Sequence, residues 1–180
     1  MLNIEDSALI IIDIQDKLVN ASFDSEKLVS NALKIVRASS ILSVPVIVTE
    51  QYPKGLGGTI SALKDNLAHD TCFYEKTSFS ACHEPEFKNK IDSLNRKQFL
   101  ICGIETHICV LQTALELHNA GFDVYILEDC SSSRHLSEKN IAIELLRQYG
   151  IKIVSVEIAL FEWLKSSRHP KFKEIQTLIK

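Results

Sequence analysis

The sequence lacks three features that would each point to a different class of protein. Its 180 residues contain no apolar run approaching the length of a membrane span and no block of basic residues. Glu5 and Asp6 stand near the start, where a signal peptide would carry basic residues. The net charge of −3 gives no support for binding to nucleic acid or to a membrane surface. We therefore expect a cytoplasmic protein whose partner is a small-molecule substrate, with no nucleic-acid or membrane partner.

Signals for metals and cofactors are missing as well. The five cysteines are an odd number and form no Cys-x-x-Cys pair, which argues against a disulfide framework and against a thiolate zinc site. Gly55, Gly57 and Gly58 lie close together, but they do not stand between a strand and a helix as a phosphate-binding loop requires. The sequence therefore predicts no nucleotide, metal or other cofactor.

Strand and helix patterns alternate along the whole chain, which is predicted to be a single domain, residues 1–180. Residues 8–12 form a continuous apolar run, as expected for a central parallel strand covered on both faces. Five further strands are predicted at 44–49, 71–74, 99–102, 124–127 and 151–154, whereas 52–58 is predicted to be irregular. This alternation predicts an α/β fold with an open, doubly wound parallel sheet and helices on both faces.

Chemically reactive side chains follow several of these strands. Asp13, Lys76 and Cys109 come after the first, third and fourth strands, and Asp129 and Cys130 follow the fifth. In a doubly wound sheet the ligand lies beyond the carboxyl ends of the strands. We therefore expect these residues to converge at one edge of the sheet.

Segment 103–109 joins the fourth strand to a helix. Thr106 is expected to be the N-cap of that helix, which places Cys109 in the first turn. Free N–H groups and the helix dipole favour a thiolate there, so Cys109 is a candidate nucleophile. The alternative is a small buried thiol that only packs in the core.

A carboxylate, an ammonium and a thiol at one edge can act as a catalytic set. Asp13 can take the thiol proton and later return it to a leaving group. Lys76 can hold that carboxylate and favour the thiolate, and backbone N–H groups at the helix start can stabilise an oxyanion. As alternatives, Asp13 caps or ion-pairs for purely structural reasons, and Lys76 is a solvated surface residue.

Three segments resemble the isochorismatase-like cysteine hydrolases: IIIDIQ at 10–15, YEKTSFSA at 74–81 and CGIETHICVLQTALEL at 102–117. AGFDVYILEDCSSSR and VSVEIALFEWL also match the family pattern, so that the resemblance covers about 8–164. It implies a Rossmann-like, three-layer α/β/α sandwich whose six-stranded parallel sheet has the order 3-2-1-4-5-6. It also implies the catalytic triad Asp13, Lys76 and Cys109, and a homo-oligomer that is a dimer or larger.

The resemblance further implies how the chemistry runs. A non-proline cis peptide is expected at Ile104–Glu105, with the N–H groups of Glu105 and Cys109 forming an oxyanion hole. Family members that hydrolyse amides attack with the thiolate and pass through a thioester, with the aspartate as base and acid. Members that cleave the vinyl ether of isochorismate lack the cysteine, so Cys109 favours the amidase-type reaction. Vinyl-ether hydrolysis, and a non-catalytic scaffold or regulatory protein with a reactive thiol, are the alternatives.

One departure from the family bears on metal binding. Nicotinamidases carry an Asp-x-His metal motif after the second strand, and Gln51 and Pro53 stand at those positions here. No metal site and no nicotinamidase activity are therefore expected, and the chain is more similar to the short, metal-free hydrolases of the family.

The positions of other residues in the predicted fold indicate their roles. Five residues flank the predicted edge and are candidates for contact with substrate: Phe23, Gln51, Tyr52, Phe79 and His107. For the aromatic residues among them, packing in the core is the alternative. Glu105 is expected to turn its side chain into a structural hydrogen bond. Cys72 and Cys102 are predicted to be buried in strands, and Cys82 and Cys130 to lie in loops.

Overall fold

The apolar run near the start of the chain forms the centre of a six-stranded sheet. In the computed structural model, which describes residues 1–180, β1 (Ser7–Ile12) is buried along its whole length. It pairs in parallel with β2 (Val46–Gln51) on one side and with β4 (Gln98–Ile104) on the other. The outer strands are β3 (Cys72–Lys76), β5 (Asp123–Ser132) and β6 (Lys152–Val154), all parallel, in the order β3-β2-β1-β4-β5-β6. The predicted fold class and strand order are confirmed.

Helices cover both faces of this sheet because successive side chains of each strand point to opposite sides. Leu9 and Ile11 of β1 pack with α2 (Ser25–Leu42), α8 (Val156–Leu164) and α9 (Phe172–Ile179). Ile10 and Ile12 pack on the other face with α5 (Pro85–Ser93), α6 (Leu111–Asn119) and α7 (Leu136–Gln148). The two faces hold separate hydrophobic clusters, which gives the three-layer sandwich.

Short helical elements connect the larger ones, and two of them differ from the predictions. The shorter elements are α1 (Asp16–Ala21), α3 (Pro53–Leu56), α4 (Ser61–Lys64) and 3-10 turns at Ile4–Asp6 and Ala81–His83. Neither α1 nor α3 was predicted, and the expectation that 52–58 is wholly irregular is wrong: proline fits the first turn of a helix, and Pro53 begins α3. None of the helices combines the length and the apolar character needed to cross a bilayer.

Strand β5 is longer than predicted, which moves two candidate residues away from the edge. The pairing of β5 with β4 jumps from Ile101↔Ile126 to Gly103↔Ser131, so a bulge takes up the intervening residues and the strand continues to Ser132. Asp129 and Cys130 therefore lie inside β5, and their predicted place at the strand end is wrong. Burial raises the pKa of the Cys130 thiol well above its usual value.

Cys102 and Cys72, one in a central strand and the other in an edge strand, differ in exposure. Cys102 of β4 is buried, as predicted. Cys72 is exposed, as are most residues of β3, the strand at the edge of the sheet. The prediction of burial for Cys72 is therefore wrong. Cys82 lies in the 3-10 turn before α5, where burial raises the pKa of its thiol to about 11.

Candidate active site

The candidate site begins where β1 ends, at Asp13. This residue adopts a left-handed backbone conformation with a φ of 52°, which aspartate tolerates better than most residues do. Its N–H still donates to the carbonyl of Thr49 in β2, at 3.2 Å. The chain therefore turns out of the sheet at Asp13 while the side chain stays fixed against β2.

Both carboxylate oxygens of Asp13 have a defined neighbour. Oδ1 accepts a hydrogen bond from the hydroxyl of Thr49 at 2.7 Å. Oδ2 lies 2.7 Å from Nζ of Lys76, the last residue of β3, and both side chains of this ion pair are fully buried. A buried charge is stable only when an opposite charge or hydrogen bonds compensate it. The alternative that Lys76 is a solvated surface residue is thereby excluded.

Lys76 has further acceptors besides Asp13. Its ammonium lies 2.5 Å from Oε1 of Gln51 and 3.1 Å and 3.2 Å from the carbonyls of Phe79 and Ser78. With Oδ2 of Asp13 at 2.7 Å, four oxygens share three N–H donors. A contact of this length between an ammonium and a carboxylate is a charge-assisted hydrogen bond. Each carboxylate oxygen has a second lone pair, so Oδ2 can also take a proton from the Cys109 thiol.

The thiol of Cys109 lies beside this pair and is only 7% exposed. Burial is the largest cause that raises its pKa, to about 12, and the Asp13 carboxylate adds to the increase, while the Lys76 ammonium opposes it. The sequence predicts the opposite direction, because the effect of burial and of the neighbouring carboxylate cannot be obtained from the position of Cys109 in the chain. The resting thiol is neutral.

The turn that carries Cys109 also differs from the prediction. Thr106–Val110 is a π-helical turn that leads into α6, and its N-cap is Glu105. The hydroxyl of Thr106 donates to the carbonyl of Ser132 at 3.0 Å, so the predicted N-cap role of Thr106 is wrong. The cause is the extension of β5, which brings Ser132 beside the start of the turn. The Ile104–Glu105 peptide bond is cis, as expected.

A serine, a histidine and an acid meet beside this turn. Nδ1 of His107 lies 3.0 Å from the hydroxyl of Ser133 and 3.4 Å from Oε2 of Glu105. Both contacts fall on the same ring nitrogen, whereas a proton relay from serine to acid needs one contact on each nitrogen. Oε1 of Glu105 pairs with Nε of Arg134 at 3.0 Å. The Glu105 side chain has the structural role predicted for it: it joins the π turn to the segment that follows β5.

Comparison with known proteins shows the family of this chain. The family model for the isochorismatase domain matches residues 7–158. The chain belongs to the isochorismatase family. Isochorismatase family protein 1B from Dictyostelium discoideum is 40% identical over 179 residues, which cover 98% of this chain and 87% of the relative.

Solved structures of other proteins share this fold. The structure of the MAR1 ribonuclease from Caenorhabditis elegans superposes with a TM-score of 0.95 at 36% identity, covering 99% of this chain and 91% of that one. The YcaC gene product of Escherichia coli, an octameric hydrolase of unknown specificity, shares the fold at a TM-score of 0.89, with 22% identity and coverage of 98% and 94%. The protein is an isochorismatase-family hydrolase in fold and sequence.

The predicted substrate-contacting residues of this isochorismatase-family protein fall into two groups. The side chains of Phe23, Tyr52 and Phe79 are 47%, 55% and 56% exposed, so packing in the core does not account for them. Gln51 and His107 instead bond to neighbouring protein groups, Gln51 to Lys76 and His107 to Ser133 and Glu105. No group of three or more histidine, cysteine, aspartate or glutamate side chains is placed to hold a metal ion.

Gln15 is a residue of the site that sequence reasoning missed. It is fully buried, and its side-chain amide bonds to both backbone groups of Gln51 at the end of β2. Its place two residues after Asp13 is the signal that could have found it, because the two side chains leave the same strand end together.

Proposed function

We propose that the protein is a cysteine hydrolase of a small amide or a related acyl compound. Cys109 is the nucleophile, Asp13 is the base and acid, and Lys76 supports Asp13. The observation that carries the proposal is the buried ion pair of Asp13 and Lys76 beside the buried thiol of Cys109. A general base needs a free lone pair within reach of the proton that it removes.

The charges of the three groups support internal transfer of the proton. The carboxylate, the ammonium and the neutral thiol sum to zero. Moving the thiol proton from Sγ to Oδ2 leaves that sum at zero, whereas losing it to water would leave one negative charge in a buried site. The raised pKa of Cys109 reflects the second process. The thiolate therefore forms by transfer to Asp13 when a substrate is in place.

The reaction then proceeds in two halves. The thiolate attacks the carbonyl carbon, and the N–H groups of Glu105 and Cys109 receive the oxyanion. The C–N bond breaks, Asp13 returns the proton to the leaving amine or ammonia, and a thioester remains on Cys109. Water then gives a proton to Asp13 and attacks the thioester. The C–S bond breaks, the acid leaves, and Cys109 regains its proton from Asp13.

The test is a panel of small amides and imides assayed with the wild type and with Cys109→Ser. We expect hydrolysis by the wild type only, with an acyl adduct detected by mass spectrometry on the peptide that contains Cys109. Cys82→Ser is the matched control, because Cys82 is partly buried in the turn before α5, outside the triad. It should keep both activity and adduct, and hydrolysis by Cys109→Ser would contradict the nucleophile.

Three other outcomes identify alternatives. Vinyl-ether hydrolysis should survive Cys109→Ala. A scaffold should show no turnover on any substrate and should bind its protein partner unchanged after Cys109→Ser. An RNA oligonucleotide belongs in the panel because the C. elegans relative is named a ribonuclease. The net charge of −3 offers little attraction for phosphates, so we expect no cleavage of RNA.

We also place the protein in a homo-oligomer. Two helices on opposite faces of the sheet expose large apolar side chains: Ile141 (63%) and Tyr149 (53%) at and just beyond α7, and Ile158 (49%) and Phe161 (42%) on α8. Exposed apolar groups of this kind favour association, and the E. coli protein of the same fold is octameric. Sedimentation velocity should give a species of at least twice the 20.3 kDa of one chain. The cytoplasmic location stays a prediction from the sequence.

A further inference from the structure

The ammonium of Lys76 has more acceptors around it than protons to donate. Its three N–H groups are shared among four oxygens: Oε1 of Gln51, the carbonyls of Phe79 and Ser78, and Oδ2 of Asp13 at 2.7 Å. The contact with Oε1 of Gln51, at 2.5 Å, is the shortest of the four. Gln51 therefore competes with Asp13 for these donors.

The orientation of the Gln51 amide follows from its other bond. Nε2 donates to the carbonyl of Thr77 at 3.0 Å. Turning the amide around would bring Nε2 against the Lys76 ammonium and Oε1 against the carbonyl, so that donor would face donor and acceptor would face acceptor. A carboxylate at position 51 would also face the Thr77 carbonyl with an acceptor. The site therefore suits a neutral amide.

Gln15 fixes the backbone from which Gln51 extends. Pairing between β1 and β2 ends at Ile12↔Thr49, because the chain leaves the sheet at Asp13. Beyond that point Oε1 of Gln15 accepts from the N–H of Gln51 at 2.7 Å, and Nε2 of Gln15 donates to its carbonyl at 3.0 Å. The Gln15 side chain thus replaces the missing strand for one more residue.

We infer that Gln51 is a positioning residue: it competes with Asp13 for the N–H donors of Lys76, so that a lone pair of Oδ2 stays available for the thiol proton, and Gln15 holds Gln51 in place. This inference rests on the proposed roles of the triad, and it replaces the predicted role of Gln51 in contacting substrate. Without the amide, Lys76 turns its donors more fully onto Asp13. The carboxylate then accepts the thiol proton less readily, and Cys109 loses part of the help that Lys76 gives its thiolate.

The first test measures Lys76 directly in the full-length protein. The ¹H–¹⁵N signal of its Nζ ammonium is assigned by its absence in Lys76→Met, since a buried, fully hydrogen-bonded ammonium exchanges slowly. We expect Gln51→Met to shift this signal and to speed its exchange, and Gln15→Met to do the same to a smaller extent. Gln148→Met, at the exposed end of α7, is the control and should leave the signal unchanged. A signal unchanged in Gln51→Met overturns the inference.

The second test measures the thiol with iodoacetamide. Alkylation of the Cys109 peptide between pH 7 and 9 should slow several-fold in Gln51→Met and more in Gln51→Glu, which adds a negative charge. In a Lys76→Met background the effect of Gln51→Met should disappear, because it acts through Lys76. An equal effect with and without Lys76 overturns the inference. A changed Lys76 signal with unchanged alkylation would instead keep the positioning role and refute the proposed role of Lys76 toward the thiol.

Discussion

Replacing Asp13 by asparagine should make Cys109 more reactive while abolishing hydrolysis. The carboxylate is one of the causes that raise the pKa of the Cys109 thiol to about 12, so its removal lowers that pKa. The same change removes the proposed base, so that turnover on any amide should be lost. Partial unfolding would also expose the thiol and abolish turnover, so the buried Cys102 and Cys130 must remain unalkylated in the variant.

The size of the effect follows from the charges. Two unit charges about 4 Å apart interact by about 4 kcal/mol at the effective dielectric typical of proteins. That energy corresponds to about 3 pKa units, which is the most that removal of the Asp13 charge can lower the pKa of Cys109. Burial, the largest cause of the raised pKa, remains after the substitution. We expect the pKa of Cys109 to fall by about 1–3 units, which raises the thiolate fraction at pH 8 about 10- to 1000-fold. The alkylation rate should rise by a smaller factor, because a less basic thiolate is a weaker nucleophile.

The substitution is well suited to the site. Asparagine tolerates the left-handed backbone at position 13, where φ is 52°. Its amide oxygen can face Lys76, and its NH₂ group can donate to the hydroxyl oxygen of Thr49. Lys76 keeps its three other hydrogen bonds.

The assay is alkylation by iodoacetamide with peptide mass spectrometry. Cys72 is exposed and serves as an internal reference for the reagent in every variant. Lys76→Met should change the Cys109 rate in the opposite direction, since the ammonium lowers the pKa of that thiol. Asp16→Asn, which removes an exposed carboxylate three residues along, is the control and should match the wild type. An Asp13→Asn protein that alkylates no faster than the wild type would refute the electrostatic argument.

Two further predictions concern stability. Gly103→Ala should cost about 3 kcal/mol or more, because φ is +138° and a Cβ there would lie 1.9 Å from the carbonyl oxygen of Ile12. Gly150→Ala, also at positive φ (+83°) but with nothing within 4 Å, should cost only about 1 kcal/mol in the same urea titration. Ser39→Ala should stabilise the protein by about 1 kcal/mol, since it removes a buried hydroxyl that has no hydrogen-bond partner. The control is Ser40→Ala at an exposed position of the same helix, which should stabilise the protein by only about 0.5 kcal/mol through the higher helix propensity of alanine. Equal effects within either pair would contradict the stated cause.

The positions of the strands and the approach of Asp13 to Lys76 could be predicted because both follow from local patterns. The apolar runs predict the strands, and parallel strands bring their carboxyl ends to one edge. The resemblance to the isochorismatase family supplied the strand order and supported the choice of Cys109, which its place at a helix start had already indicated.

Contacts between distant segments could not be predicted in the same way. The acidic and serine-rich segment after Leu127 suggests a loop, but pairing with β4 keeps it in β5 through Ser132. That pairing also provides the carbonyl that takes the Thr106 hydroxyl away from the helix start. The raised pKa of Cys109 has a similar origin, because burial depends on the packing of the whole site.

The bonds between Gln15 and Gln51 have a consequence for protein engineers. The carboxylate of Asp13 and the amide of Gln15 leave one strand end, and their partners Thr49 and Gln51 leave the next. Grafting only the three proposed catalytic side chains onto another parallel sheet would omit the amides that we propose to position Lys76. The transferable unit is the pair of strand ends, and a single-residue insertion between positions 13 and 15 would disable it while leaving every reactive group in the chain.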